Sequence, residues 1–158
     1  CPILTEAYSQ WVVEDDFREG RPAWERVGVQ FCNDVEPYER MKLRLLNGSH
    51  SSLAYLGSLA GFETVDQAIG FAPLKRFIDL LMHEETGTTI NLEAGFDLKG
   101  YQASLIKRFE NPGLKHRLLQ IAMDGSQKLP QRLVAPALEL IARGEHARLI
   151  SLSIAAGS

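Results

Sequence analysis

The chain has 158 residues, 45% of them hydrophobic and 23% charged, with a net charge of −3 and a pI near 5.8. That length suits one domain with a sizeable core. The mildly acidic balance excludes a nucleic-acid or anionic-membrane surface, since the longest basic cluster, Lys115-His116-Arg117, is too short to provide one. No apolar run approaches the roughly 18 residues that cross a bilayer. The two cysteines, Cys1 and Cys32, form no CxxC and suit a reduced cytoplasmic protein in which neither thiol is catalytic.

Residues 1 to 35 are punctuated by Pro2, Gly20, Pro22 and Gly28. They predict an irregular lead-in with short strands near 10–14 and 27–31, with Trp11 and Trp24 either packed on the core or one of them facing a part of the protein outside this chain. Pro37 then opens a helix that fades at Gly57 and Gly61, with Met41, Leu45, Leu46, Leu53, Leu56 and Leu59 as its buried stripe. Thr64-x-x-Gln67 has capping-box spacing, and a helix from Pro73 to about Glu85 ends at Gly87. His83-Glu84-Glu85 reads as a solvated helix end, because a metal-binding helix would carry a second histidine four residues on.

Asp97 caps a helix to about Phe109, stopped by Asn111-Pro112-Gly113. Further helices are expected at 114–123, at about 131–142 after a break at Asp124-Gly125-Ser126 that precedes Pro130, and from His146 onward. The fold class is therefore mainly α: a single multi-helical domain around one central helix (about 37–61), with an irregular N-terminal lead-in carrying short strands. No GxGxxG turn or parallel-sheet nucleotide fold is evident. The opening Cys1-Pro2 without an initiating Met, and the apolar run Leu149 to Ile154 at the other end, read as the ends of a piece of something larger.

Three polar residues interrupt the central helix: Lys42, Asn47 and His50. At about 100° per residue, Asn47 lies roughly 140° round from Lys42 and His50 roughly 80°, so all three share one broad face. An amine, an amide and an imidazole without a thiolate or carboxylate triad suit the handling of a hydroxyl or carbonyl oxygen. A lysine desolvated by packing can take a proton from an alcohol, while the amide stabilises the resulting oxyanion and the imidazole fixes the oxygen.

Lys42-x4-Asn47-x2-His50 followed by Ser51 resembles the signature of the polyol-specific long-chain dehydrogenases, the family of mannitol dehydrogenase and fructuronate reductase. Upstream, Trp11-Val12-Val13-Glu14-Asp15-x-Phe17, Gly20-Arg21-Pro22-x-Trp24-Glu25 and Asp34-Val35-x-Pro37-Tyr38-Glu39 resemble the same family. Asp124-Gly125-Ser126-Gln127-Lys128 does so downstream, so the resemblance spans nearly the whole chain. It implies Lys42 as general acid/base, Asn47 and His50 as holders of the reacting oxygen, Glu39 near a proton path and Lys128 on the substrate side.

The resemblance further implies that residues 1–158 are the helical C-terminal substrate and catalytic domain of a larger oxidoreductase. NAD or NADP would be bound mainly by an upstream Rossmann-type domain absent from this chain, and the reaction would need no metal. The partners implied are that nucleotide-binding domain and a small sugar alcohol, ketose or uronate. Leu114-Lys115-His116-Arg117 and Gln120-Ile121-Ala122-Met123-Asp124 resemble the fructuronate reductase branch, whereas mannitol enzymes carry an arginine near the position of Gln120. The substrate's far end is expected near His116, Arg117, Gln120 and Lys128. An all-helical interaction module that merely displays Lys42, Asn47 and His50 is the reading from a different class.

Overall fold

A computed structural model describes residues 8–157; Cys1, named above, lies outside them. Two short strands, β1 (Trp11–Glu14) and β2 (Val29–Cys32), pair in parallel with Trp11 opposite Val29 and Glu14 opposite Cys32. Both fall within two residues of the expected positions. Everything after Val35 is organised by helices, with no described helix long and apolar enough to cross a membrane.

Trp11 does not anchor this lead-in to the core, the first of the two placements expected for it. It is 59% exposed and stacks on Trp24 at 6.1 Å, and Trp24 in turn stacks on Phe31 at 6.4 Å. The aromatic rings pack on one another, with the Arg21 guanidinium 3.4 Å above Phe31. Tyr38 makes the link to the helices: it is buried, and its hydroxyl accepts from Gln30 Nε2 at 2.9 Å. Cys32 is buried beneath β1, and burial pushes its thiol pKa up, which suits an inert sulfur.

The central helix is continuous from Glu36 to Leu59 but is not α-helical throughout. It comprises α1 (Glu36–Met41), a π-turn (Lys42–Asn47) and α2 (Gly48–Leu59). Met41, Leu45 and Leu53 are fully buried as expected, whereas Leu59 is 73% exposed because the helix has left the core by then. Small residues let neighbours approach α2 closely. A Cβ at Gly57 would lie 2.8 Å from Leu118 Cδ1 and 3.0 Å from Ala68 Cβ.

Around this axis lie α3 (Val65–Gly70), α4 (Ala72–Leu80), α5 (Leu98–Phe109), α6 (Leu118–Ala122), α7 (Gly125–Leu129), α8 (Ala135–Ala142) and α9 (Arg148–Ala156). Gln67 closes the expected box at α3, its Oε1 accepting from the Glu63 and Thr64 N–H groups, and Asp97 accepts from the Gly100 N–H at the start of α5. Gly87 does not end α4. That helix passes into a π-turn (Leu81–Glu85) and a 3₁₀ turn (Thr86–Thr89), where a Cβ at Gly87 would come within 2.1 Å of the Met82 carbonyl oxygen.

Two further expectations fail for identifiable reasons. Residues 114–117 are not helical: Lys115 has φ 44°, and the next residues pair with the α3 entry, Val65 N–H donating to His116 O and Leu118 N–H to Glu63 O. The helix expected from about Gln131 also starts earlier, at Gly125, because a π-turn (Pro130–Val134) carries α7 through Pro130 into α8. The wider turn relieves the clash and missing donor that proline imposes on an α-turn, and Pro136 then sits in the first turn of α8.

Glu85 is also not the solvated helix end expected of it. It is buried, and its carboxylate oxygens accept from the Leu149 N–H at 2.9 Å and the Ile150 N–H at 2.8 Å. Those are orphan donors of the first turn of α9, at the positive end of its dipole.

Candidate active site

Lys42 and Asn47 are the first and last residues of the π-turn, and His50 follows in the first turn of α2. Most of the helix circumference here is buried, including Met41, Arg44, Leu45, Gly48, Ser49, Ser51 and Ser52. From Glu39 to His50 the incompletely buried positions are Glu39, Arg40, Lys42, Leu43, Leu46, Asn47 and His50, which run along the helix as one stripe. An i→i+5 turn holds more residues than an α-turn, so it reduces the roughly 140° between Lys42 and Asn47. The three residues thus share one face, and more tightly than plain α geometry allows.

Their environments differ. Lys42 is exposed, so the described residues do not supply the desolvation expected of it; Asn47 is half-buried, and neither side chain makes a hydrogen bond among the described residues. His50 turns into a narrow cleft lined by Leu46, Val65, Asp66, Arg108, Phe109 and His116. Its ring centroid is 4.7 Å from that of Phe109 and 6.1 Å from that of His116. Burial, followed by the positive charges of His116, Arg108 and Arg132, lowers its pKa to about 4, so the imidazole is neutral near pH 7.

Neither supporting residue lines the His50 cleft. Glu39 is exposed, forms no ion pair with Lys42 and borders a separate groove with Arg40, Leu43, Arg44 and Gln131. Lys128, on α7, donates through Nζ to the Met123 carbonyl at 2.6 Å and lies 3.9 Å from the Asp124 carboxylate. Its helix leans on α2, since a Cβ at Gly125 would come within 2.7 Å of the Tyr55 hydroxyl. Of the far-end candidates, His116, Arg117 and Gln120 are all exposed, and the His116 ring lies against that of His50.

Sequence reasoning missed two cations beside the motif. Arg44, inside the π-turn, is buried, pairs through two nitrogens with Glu139 at 2.5 and 2.7 Å and donates to the Thr89 carbonyl. Arg132, in the π-turn before α8, donates from Nη1 to Ser51 Oγ at 3.1 Å. The sequence offers one clue to Arg132: it lies four residues after Lys128, hence on the same helical face.

The family model described as the mannitol dehydrogenase C-terminal domain matches residues 34–158. The chain belongs to the mannitol dehydrogenase family. This mannitol dehydrogenase C-terminal domain is 49% identical to D-mannonate oxidoreductase of Escherichia coli (strain K12), over 98% of this chain and 32% of that protein. It is 42% identical to a mannitol 2-dehydrogenase of Aspergillus fumigatus, over 89% of this chain and 28% of that protein. Among solved structures it resembles Pseudomonas fluorescens mannitol 2-dehydrogenase, in a ternary complex with NAD and D-mannitol. That match has a TM-score of 0.85 at 40% identity and covers 95% of this chain and 30% of the other. A substrate-free D-sorbitol dehydrogenase gives a TM-score of 0.88 at 34% identity, over 94% of this chain and 31% of that one. The chain therefore spans about a third of the length of the relatives it matches.

Proposed function

We propose that this domain is the catalytic part of an NAD(P)-dependent oxidoreductase that interconverts a sugar alcohol or aldonate with the corresponding ketose or keto-uronate. The observation that carries the reading is the single incompletely buried stripe on which the π-turn sets Lys42, Asn47 and His50. π-Turns inside α-helices occur frequently at functional sites, because they re-aim side chains at a local cost in helix geometry.

The proton side of the reaction belongs to this chain. Unprotonated Lys42 takes the hydroxyl proton as the alcohol carbon loses its hydrogen, and in the reverse direction the ammonium returns that proton to the carbonyl oxygen. The Asn47 side-chain amide donates to the oxygen as negative charge develops on it. The neutral His50 ring, stiffened against Phe109, holds the same oxygen in place. Glu39, one turn earlier and facing solvent, lies on the path by which a proton leaves Lys42, and Lys128 serves the far end of the substrate.

NAD or NADP supplies the hydride acceptor when bound. The residues present do not fit its nucleotide end, because the sequence has no glycine-rich strand-to-helix turn for a pyrophosphate. We assign that end to a nucleotide-binding domain outside this chain, which would also cover the exposed Lys42 and supply its desolvation. A substrate panel on the full-length protein, comparing mannitol with mannonate under NAD and NADP, tests the reading. Turnover of one of them is expected, and inertness toward every polyol and aldonate would contradict it.

A further inference from the structure

We propose that Arg132 binds the carboxylate of an aldonate or keto-uronate substrate and so selects an acidic sugar over a neutral polyol. This rests on the oxidoreductase reading above and names the substrate class within it.

Position is the first support. The π-turn Pro130–Val134 packs directly on the start of α2, where a Cβ at Gly48 would meet the Arg132 carbonyl oxygen at 3.2 Å and Leu133 Cδ2 at 3.4 Å. From there the guanidinium reaches Ser51 Oγ at 3.1 Å. Ser51 lies four residues after Asn47 and so above it on the same helix face, about one turn away along the axis. The guanidinium therefore stands one turn beyond the residue that holds the reacting oxygen, and its charge is felt at the His50 ring. An anion at the opposite end of a sugar chain falls in that direction.

Unmet bonding is the second support. Arg132 is half-buried and carries five N–H donors, yet among the described residues its side chain has one hydrogen bond, to a neutral hydroxyl, and no carboxylate partner. Arg44, a buried arginine of the central helix itself, contrasts with it: two of its nitrogens are matched by Glu139. A partly desolvated guanidinium without an anion is costly unless something negative arrives to pair with it, and its planar fork matches a carboxylate.

The neighbourhood is rich in donors as well. The Tyr55 hydroxyl, one turn beyond Ser51, is buried without a hydrogen-bond partner and lies within the electrostatic reach of Arg132. Lys128, one turn before Arg132, adds a second positive charge along the same helix.

The test uses the full-length enzyme and the ratio of kcat/KM for mannonate to kcat/KM for mannitol, with Arg132→Gln and the charge-keeping Arg132→Lys. Loss of a charge-assisted hydrogen bond predicts a drop in that ratio of about 10- to 100-fold for Gln. The drop for Lys should be smaller, with the rise in KM confined to the acidic substrate and the KM for NAD unmoved. Equal losses on both substrates would mark Arg132 as structural and overturn the proposal. So would a change confined to the KM for NAD or NADP, which would place a cofactor phosphate there, or an unchanged ratio. Wild-type enzyme that turns over neither substrate would instead overturn the oxidoreductase reading, and this inference with it.

Discussion

Lys42 opens and Asn47 closes the same π-turn, so their relative direction is set by one widened turn of an otherwise regular helix. Deleting Leu43, a half-buried residue of that turn, should return the segment to α geometry with Lys42 and Asn47 as an i,i+4 pair about 40° apart, so that both stay on one face with His50. In the intact enzyme turnover should therefore stay within about 10-fold of the wild type, since only a misplacement of about 1 Å or more costs about 10²-fold. Circular dichroism should remain helical. A deletion variant that stays helical yet loses turnover by about 10²-fold or more would show that the wide turn itself, and not the shared face alone, places the two groups.

The His50 ring should remain neutral through the physiological range. The unfolded side chain takes up a proton near pH 6.5, whereas the folded one does so only near pH 4. Between those values the unfolded chain binds more protons, so stability falls as pH is lowered, by roughly 3 kcal/mol at most. NMR titration of the ring should give a pKa near 4, and His50→Gln should flatten the pH dependence of the denaturation midpoint between pH 6.5 and 4. Titration of the ring near 6.5 would contradict the packing described for it.

Glu85 ties α9 to the turn after α4. Glu85→Ala would leave the Leu149 and Ile150 N–H groups without their carboxylate acceptor, at a cost of about 1–3 kcal/mol for each donor left buried and unpaired. Hydrogen exchange should accelerate first in residues 148–156, and the melting temperature should drop. Unchanged exchange in that helix would show that the carboxylate is dispensable.

The shared face of Lys42, Asn47 and His50 was legible because it tolerates one error of turn geometry: α or π winding leaves all three on the same side. The π-turn itself was not legible, since a single wide turn leaves no periodic trace in the residues. Glu85 and Arg132 escaped for another reason. Their partners, Leu149 with Ile150 and Ser51, are far away in sequence, and local charge reads as solvated until the fold brings a partner to it. Residues 114–117 were misread because Leu114 and Leu118 imitate helical spacing, while the pairing with Glu63 and Val65 that holds residues 116 and 117 out of the helix is invisible locally.

Lys42→Ala in the full-length enzyme, with its fold confirmed, is the measurement that bears most directly on the assignment of the proton-transfer residue. The rate of alcohol oxidation should fall by about 10²–10⁴-fold with substrate affinity much less affected, and small external amines should restore part of the rate in order of their basicity. His50→Ala should instead weaken both binding and turnover, because the oxygen is then unplaced in ground and transition states alike. A Lys42→Ala enzyme that oxidises its substrate at near wild-type rate across the whole pH range would contradict the acid/base role.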